Sequence, residues 1–158
     1  MKNIWIALFM FGFGAFSFAQ DNKPYSNISQ AQNGYIGINT TNPDAMLTVK
    51  GSIHTQEVVV DLEGAVAPDF VFEKYYKGKS ILNPDYEFLS LSEIEAFIKK
   101  HHHLPKMPSA SEIDERGISL KAMNLLLLEK IEELTLHTIE QQKLIESLSR
   151  RIEKLEHE

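Results

Sequence analysis

From position 120 to position 158 the chain reads LKAMNLLLLEKIEELTLHTIEQQKLIESLSRRIEKLEHE. Setting Leu120 at position d of a heptad places Leu127, Leu134, Gln141, Leu148 and Leu155 at the later d positions. The a positions are then Asn124, Ile131, Thr138, Ile145 and Ile152. Eight of these eleven residues are apolar, and Glu, Lys, Arg, Gln and Ser fill much of the sequence between them. An apolar period of 3.5 residues held over five heptads predicts a coiled-coil helix. A seam this narrow cannot be buried by the helix that carries it, so self-association is expected. The oligomerisation seam comprises Leu120, Leu127, Ile131, Leu134, Thr138, Gln141, Ile145, Leu148, Ile152 and Leu155. Ile at a with Leu at d favours two strands, and the polar Thr138/Gln141 layer weakens that preference. Arg151 at g and Glu156 at the following e can pair between parallel neighbours and fix the register.

Upstream of this helix the chain carries start and stop signals. Ser119 stands where an N-cap belongs, and Gly117 where a C-terminal glycine stops a preceding helix. Ser109-Ala110-Ser111-Glu112 and Ser90-Leu91-Ser92-Glu93 are capping boxes, each opening a short predicted helix. Leu91, Ile94, Phe97 and Ile98 line one face of the first of these. Pro105 and Pro108 end that segment and hold 103–108 extended. Phe70, Val71, Phe72, Tyr75, Tyr76, Tyr86 and Phe88 are expected to gather into a small aromatic core. Residues 62–69, with Gly64 and Pro68, read as a linker.

Nearer the N-terminus the pattern changes to short β pieces between turns. Tyr35-Ile36-Gly37-Ile38 is one, Asn39 to Asp44 a turn cluster, and Met46-Leu47-Thr48-Val49 a second strand. Lys50-Gly51 turns again, and Ser52 to Asp61, with Val58-Val59-Val60, reads as a third. Strands so few and short are marginal alone and need further chains to pack against. Gln20 to Asn33 is polar and reads as a flexible leader. Before it, Lys2, the apolar run from Ile4 to Phe16 and the small residues Ser17 and Ala19 form a secretory signal pattern. Cleavage before Gln20 leaves 139 residues, and the loss of Lys2 takes the formal charge from −6 to −7. An acidic exported chain without a basic block predicts neither nucleic acid nor anionic membrane as partner. With no Cys, thiolate metal sites, disulfides and thiol nucleophiles are excluded.

Other chemistry finds little support. His101-His102-His103 is the one histidine cluster, but adjacent residues at a helix end point apart, so no metal site is assigned. His101 or His102 is expected to cap the preceding helix, with His103 beside Leu104 and Pro105. His137 falls at a g position and is expected to be exposed. Glu132-Glu133 and the other carboxylates of the long helix read as solvated charges, not a buried pair. Neither a Gly-x-Ser-x-Gly elbow nor a Gly-rich phosphate loop occurs. A basic leucine zipper is excluded because 109–123 has a net charge of −1 and a glycine break. No catalytic residue and no cofactor is predicted.

Gly34-Tyr35-Ile36-Gly37-Ile38-Asn39-Thr40-Thr41-Asn42-Pro43, followed by Leu47-x-Val49-x-Gly51-x-Ile53, resembles the head repeat of bacterial tail-fibre-like surface proteins. The pieces Pro68 to Phe72, Leu89 to Ile98, His103 to Ser109, Gly117-Ile118, Met123-Asn124 and Glu129 to Leu136 resemble a C-terminal module of such exported proteins in the Bacteroidetes group. This resemblance implies a trimer with an interleaved β-prism head and a coiled-coil tail. Similar proteins can end in a self-cleaving intramolecular chaperone that cuts at a Ser-Asp bond. No such dipeptide occurs here, so self-cleavage is not expected.

The expected fold is α+β, elongated and trimeric. Its segments are a signal peptide (1–19), a leader (20–33), a β-prism-like head repeat (34–61), a linker and compact aromatic and helical hinge module (62–118), and a coiled-coil stalk (119–158). The expected function is that of an exported, non-enzymatic, structural or adhesin-like fibre protein, secreted or at the cell surface, with the periplasm as the alternative. Its partner is itself, as a homotrimer or alternatively a dimer, with no membrane insertion after signal cleavage. The alternative function is a secreted module that recognises a glycan or peptide of a surface partner through aromatic residues around Tyr75, Tyr76 and 101–108.

Overall fold

A computed structural model of the chain describes residues 27–157. The signal peptide and the leader as far as Ser26 lie outside the described residues. The fold is α+β, with a small three-stranded sheet and four helices, the last much the longest. It divides into two compact units, one ending at Glu57 and the other running from Val58 onward.

The first unit is built on three strands of three residues each: β1 (Ile28–Gln30), β2 (Ile36–Ile38) and β3 (Leu47–Val49). β1 pairs antiparallel with β2, and β2 pairs parallel with β3. The leader expected over 20–33 therefore ends in a strand. A tight turn makes this so: Gly34 N donates to Ala31 O, Ala31 N donates to Tyr35 O, and Gly34 takes φ +85°. That local geometry returns a polar segment onto β2, which no apolar period could announce. Gly37, at the centre of β2, is buried. A Cβ there would lie 2.2 Å from Thr40 O and 2.9 Å from Ser29 Oγ. The loop back to β3 is held by Thr48, whose Oγ1 donates to Asp44 Oδ1 at 2.8 Å and accepts from the Asp44 and Ala45 amides. The Thr48 hydroxyl, then the residue's own amide and Lys50, hold the Asp44 carboxyl below its ordinary range.

The strand expected over Ser52 to Asp61 does not form. Every residue from Gly51 to Gly64 is exposed, and Val59 is 89% exposed. β-branched residues favour a strand only when a neighbouring strand offers a ladder, and none of the described strands pairs with this run.

In the second unit, α1 (Phe70–Lys77) begins after Asp69 and ends at Gly78, whose φ of +75° returns its amide to Lys74 O at 2.9 Å. This helix was not expected, because its aromatic residues carry little helix propensity of their own. It is stabilised by packing: Phe70, Val71, Tyr86 and Leu136 form the buried core, with Phe72, Tyr75 and Phe88 against it. Both predicted capping boxes are present, Ser90 and Glu93 opening α2 (Leu91–His101) and Ser109 and Glu112 opening α3 (Ala110–Arg116). Gly117 follows α3 at φ +71°. Ser119 Oγ accepts from Ala122 N and opens α4 (Leu120–Glu156), which spans 37 residues. No helix among the described residues is long and apolar enough to cross a membrane.

Candidate functional site

The long helix α4 presents two chemically different faces, and the described residues cover only one of them. The seam residues all fall on α4 and form one stripe, and that stripe is bare. Leu120, Leu127, Ile131, Leu134, Ile145, Leu148, Ile152 and Leu155 are each between 45% and 73% exposed. Within the polar layer, Thr138 Oγ1 donates to Leu134 O at 2.8 Å. Its hydroxyl is thus satisfied within the helix, and the layer needs no partner for that donor. Thr135 Oγ1 donates likewise to Ile131 O at 2.7 Å. Gln141, the polar d residue, is exposed.

At 3.6 residues per turn, positions b, c and f lie on the far side of a helix from a and d. There the chain packs on itself. Leu136, at an f position, is fully buried in the core with Phe70, Val71 and Tyr86. The rings of Phe70 and Tyr86 meet at 4.9 Å, tilted by 55°. Tyr86 is positioned from upstream by hydrogen bonds: Glu73 accepts from Ser80 Oγ, Lys77 Nζ and Ile81 N, Ser80 Oγ accepts from Asn83 N, and Asn83 O accepts from Tyr86 N. Those donors hold the Glu73 carboxyl at about 2, against an ordinary 4.5.

A charged layer lies beside this core. Tyr86 Oη donates to Glu133 Oε1 at 2.9 Å. Lys130 Nζ reaches Glu133 Oε2 at 2.8 Å and Glu129 Oε1 at 3.3 Å. Lys106 Nζ lies 2.8 Å from Glu129 Oε1 and 4.5 Å above the Tyr86 ring. To put its ammonium there, Lys106 adopts φ +65° in the turn closed by Met107 N donating to Leu104 O. Burial, with the Glu133 carboxylate close by, pushes the Tyr86 phenol well up, so it stays a donor.

Two expectations are overturned on this face. Glu129 and Glu132 are both 6% exposed, so these carboxylates are not uniformly solvated charges. Glu132 Oε2 has no hydrogen-bond partner, and its carboxyl is raised, first by burial and then by Asp69 and Glu129. His137, expected to be exposed at g, is 5% exposed because Phe88 stacks on it at 4.6 Å. Its Nδ1 faces Glu140 Oε2 at 3.7 Å, and its Nε2 is buried without a partner. A signal for this second face was present in the sequence: Leu125, Leu126 and Leu136 lie off the seam, where a helix used only as a zipper has no need of leucine.

The histidine cluster is disposed around a helix end. His102 takes φ +61° and its amide donates to Ile98 O, closing α2. His101 stacks on Phe97 at 4.4 Å, and His103 meets the same ring edge-on at 5.4 Å. Among the described residues no group of three or more His, Asp or Glu side chains is placed to hold a metal. A cleft of about 450 Å³ opens between the start of α2 and α4, lined by Phe88, Leu91, Glu93, His137, Gln141 and Leu144 among others.

What this geometry can do is bind another helix. It presents an exposed stripe, apolar but for Asn124 and the Thr138/Gln141 layer, with a packed module on the opposite face. No protein-family model matches the chain, and neither a curated protein nor a solved structure is significantly similar to it.

Proposed function

We propose that this chain is an exported, non-enzymatic, structural or adhesin-like fibre protein that assembles through α4, with three copies forming the unit. The observation that supports this most is the division of labour on α4. The chain's own module occupies the b/c/f face and leaves the a/d stripe exposed, as a helix shared between copies requires. Leu128 at e and Leu144 at g are also exposed, at 42% and 60%. They widen the apolar stripe beyond a and d, which favours more than two strands. The three-residue strands of the first unit are short for an independent sheet, in keeping with a head completed by other copies. Export rests on the signal pattern of residues 1–19.

The test is the mass of the chain lacking residues 1–19, measured by light scattering. Three times the single-chain mass is expected, falling to one chain in Leu134→Asp or Ile145→Asp. Unchanged mass in both variants would overturn the reading. A second reading, recognition of a glycan or peptide, is favoured by a cleft of about 440 Å³ walled by Tyr75, Phe88, Leu89 and Glu93. Retention on a glycan array that Tyr75→Ala abolishes would support it.

A further inference from the structure

Resting on the reading of α4 as a self-association helix, we infer that the cleft beside His137 is an intersubunit groove closed by a second copy of this chain. Three observations point to it. Gln141 is both a wall of the cleft and a d residue, so the cleft runs without interruption into the seam. His137 lines the cleft and is only 5% exposed, stacked on Phe88, so that wall is already built of packed side chains. Leu91 on one wall and Leu144 on the other remain 46% and 60% exposed, and no residue of α2 is buried.

The neighbour's chemistry fits. In a parallel bundle in register, a g residue faces the e residue five positions further along the next chain. His137 therefore faces Gln142 of the neighbouring copy, and Leu144 faces its Ser149. Within its own helix Gln142 donates Nε2–H to Glu146 Oε1 at 3.0 Å, which holds its amide in place on the e side of α4. Being uncharged, it also enters a cleft bordered by Glu93 and Glu140 without meeting like charge. The segment from Phe88 to Glu93 is then a clasp: it packs on its own α4 from behind and on the next copy's α4 from the side.

Because the chain has no cysteine, the double variant Leu91→Cys/Gln142→Cys carries only two thiols per copy. Five helical residues set Gln142 about 140° round α4 from His137, so α4 itself stands between the two thiols of one chain. Oxidation is expected to give a covalent product, on non-reducing electrophoresis, at the mass light scattering gives for the reduced protein. The control Leu91→Cys/Lys143→Cys, with its second thiol at an f position, is expected to stay unlinked. A reduced protein that is oligomeric but oxidises only to single chains overturns the groove and leaves the seam intact. Equal linkage in the control also overturns the groove. A reduced protein of single-chain mass overturns both.

Discussion

Tyr86 donates its phenolic hydroxyl to Glu133, fastening an irregular loop to a helix residue 47 positions further along the chain. The bond sits between an aromatic core and a charged layer, so it joins the two kinds of cohesion that hold the second unit. Tyr86→Phe keeps the ring against Phe70 and Lys106 but removes the donor. Glu133 retains Lys130 at 2.8 Å. A loss of about 1–2 kcal/mol in urea unfolding is expected, since the acceptor is charged. Leu136→Ala removes a fully buried side chain and is expected to cost more, about 2–4 kcal/mol.

Lys106 separates backbone strain from ion pairing. Its φ of +65° costs a non-glycine residue about 1 kcal/mol, and its ammonium offsets this through Glu129 and the Tyr86 ring. Lys106→Gly and Lys106→Ala both lose the charge, but only glycine relaxes the turn. The glycine variant should therefore be the more stable of the two by about 1 kcal/mol in the same unfolding experiment. Equal stabilities would show that the turn carries no such strain.

Acid and base act on this unit through different carboxyls. Glu73 is held at about 2, below its ordinary 4.5, so its stabilising contribution is present above 4.5 and is lost as pH falls toward 2. Glu132 is raised, so the folded state favours its protonated form; that contribution fades as pH rises past 4.5 through the raised value. Glu132→Gln cannot ionise and is expected to stabilise the unit at pH 7 by on the order of 1 kcal/mol, with little change near pH 4. Glu73→Gln should destabilise at pH 7 and remove part of the loss between pH 4.5 and 2. Thermal midpoints across that range check both signs.

Gly37→Ala places a methyl group 2.2 Å from Thr40 O, which is backbone and cannot rotate away. The loop carrying Thr40 must shift, breaking the Ser29 Oγ hydrogen bond to that oxygen. A cost of about 2–3 kcal/mol is expected, read as faster amide exchange over Ile36–Ile38. Exchange over α4 should be unchanged, since the substitution lies in the other compact unit.

Ser90→Ala and Ser109→Ala each remove a cap that accepts a backbone amide hydrogen bond, from Glu93 and Glu112 respectively. About 1 kcal/mol is expected from each, seen as fraying of the first turn of α2 or α3 in hydrogen exchange. Neither helix has a buried residue to hold it, so both first turns should respond.

Local rules made much of this legible. Capping boxes, the glycine after α3 and the long helix α4 depend on neighbours in sequence, and they are found where the residues place them. The strand at Ile28–Gln30 was announced only by the Asn33-Gly34 turn beside it and not by any apolar alternation, while α1 depends on a surface supplied by Leu136 more than fifty residues later and had no local signature. The same long-range packing explains His137 and Glu132. The heptad pattern assigns a residue to one side of a helix, but it says nothing of what the rest of the chain lays over that side.

Beyond Leu144 the chain's own cover ends: every residue from Ile145 to His157 except Ser147 is exposed. Arg150, Arg151 and Lys154 lie in this stretch, exposed on a part of α4 that no other described residue covers. Trypsin cutting at those bonds is therefore a gauge of company. Dilution that parts the copies should speed cleavage there, while Lys130, locked between Glu129 and Glu133, stays intact.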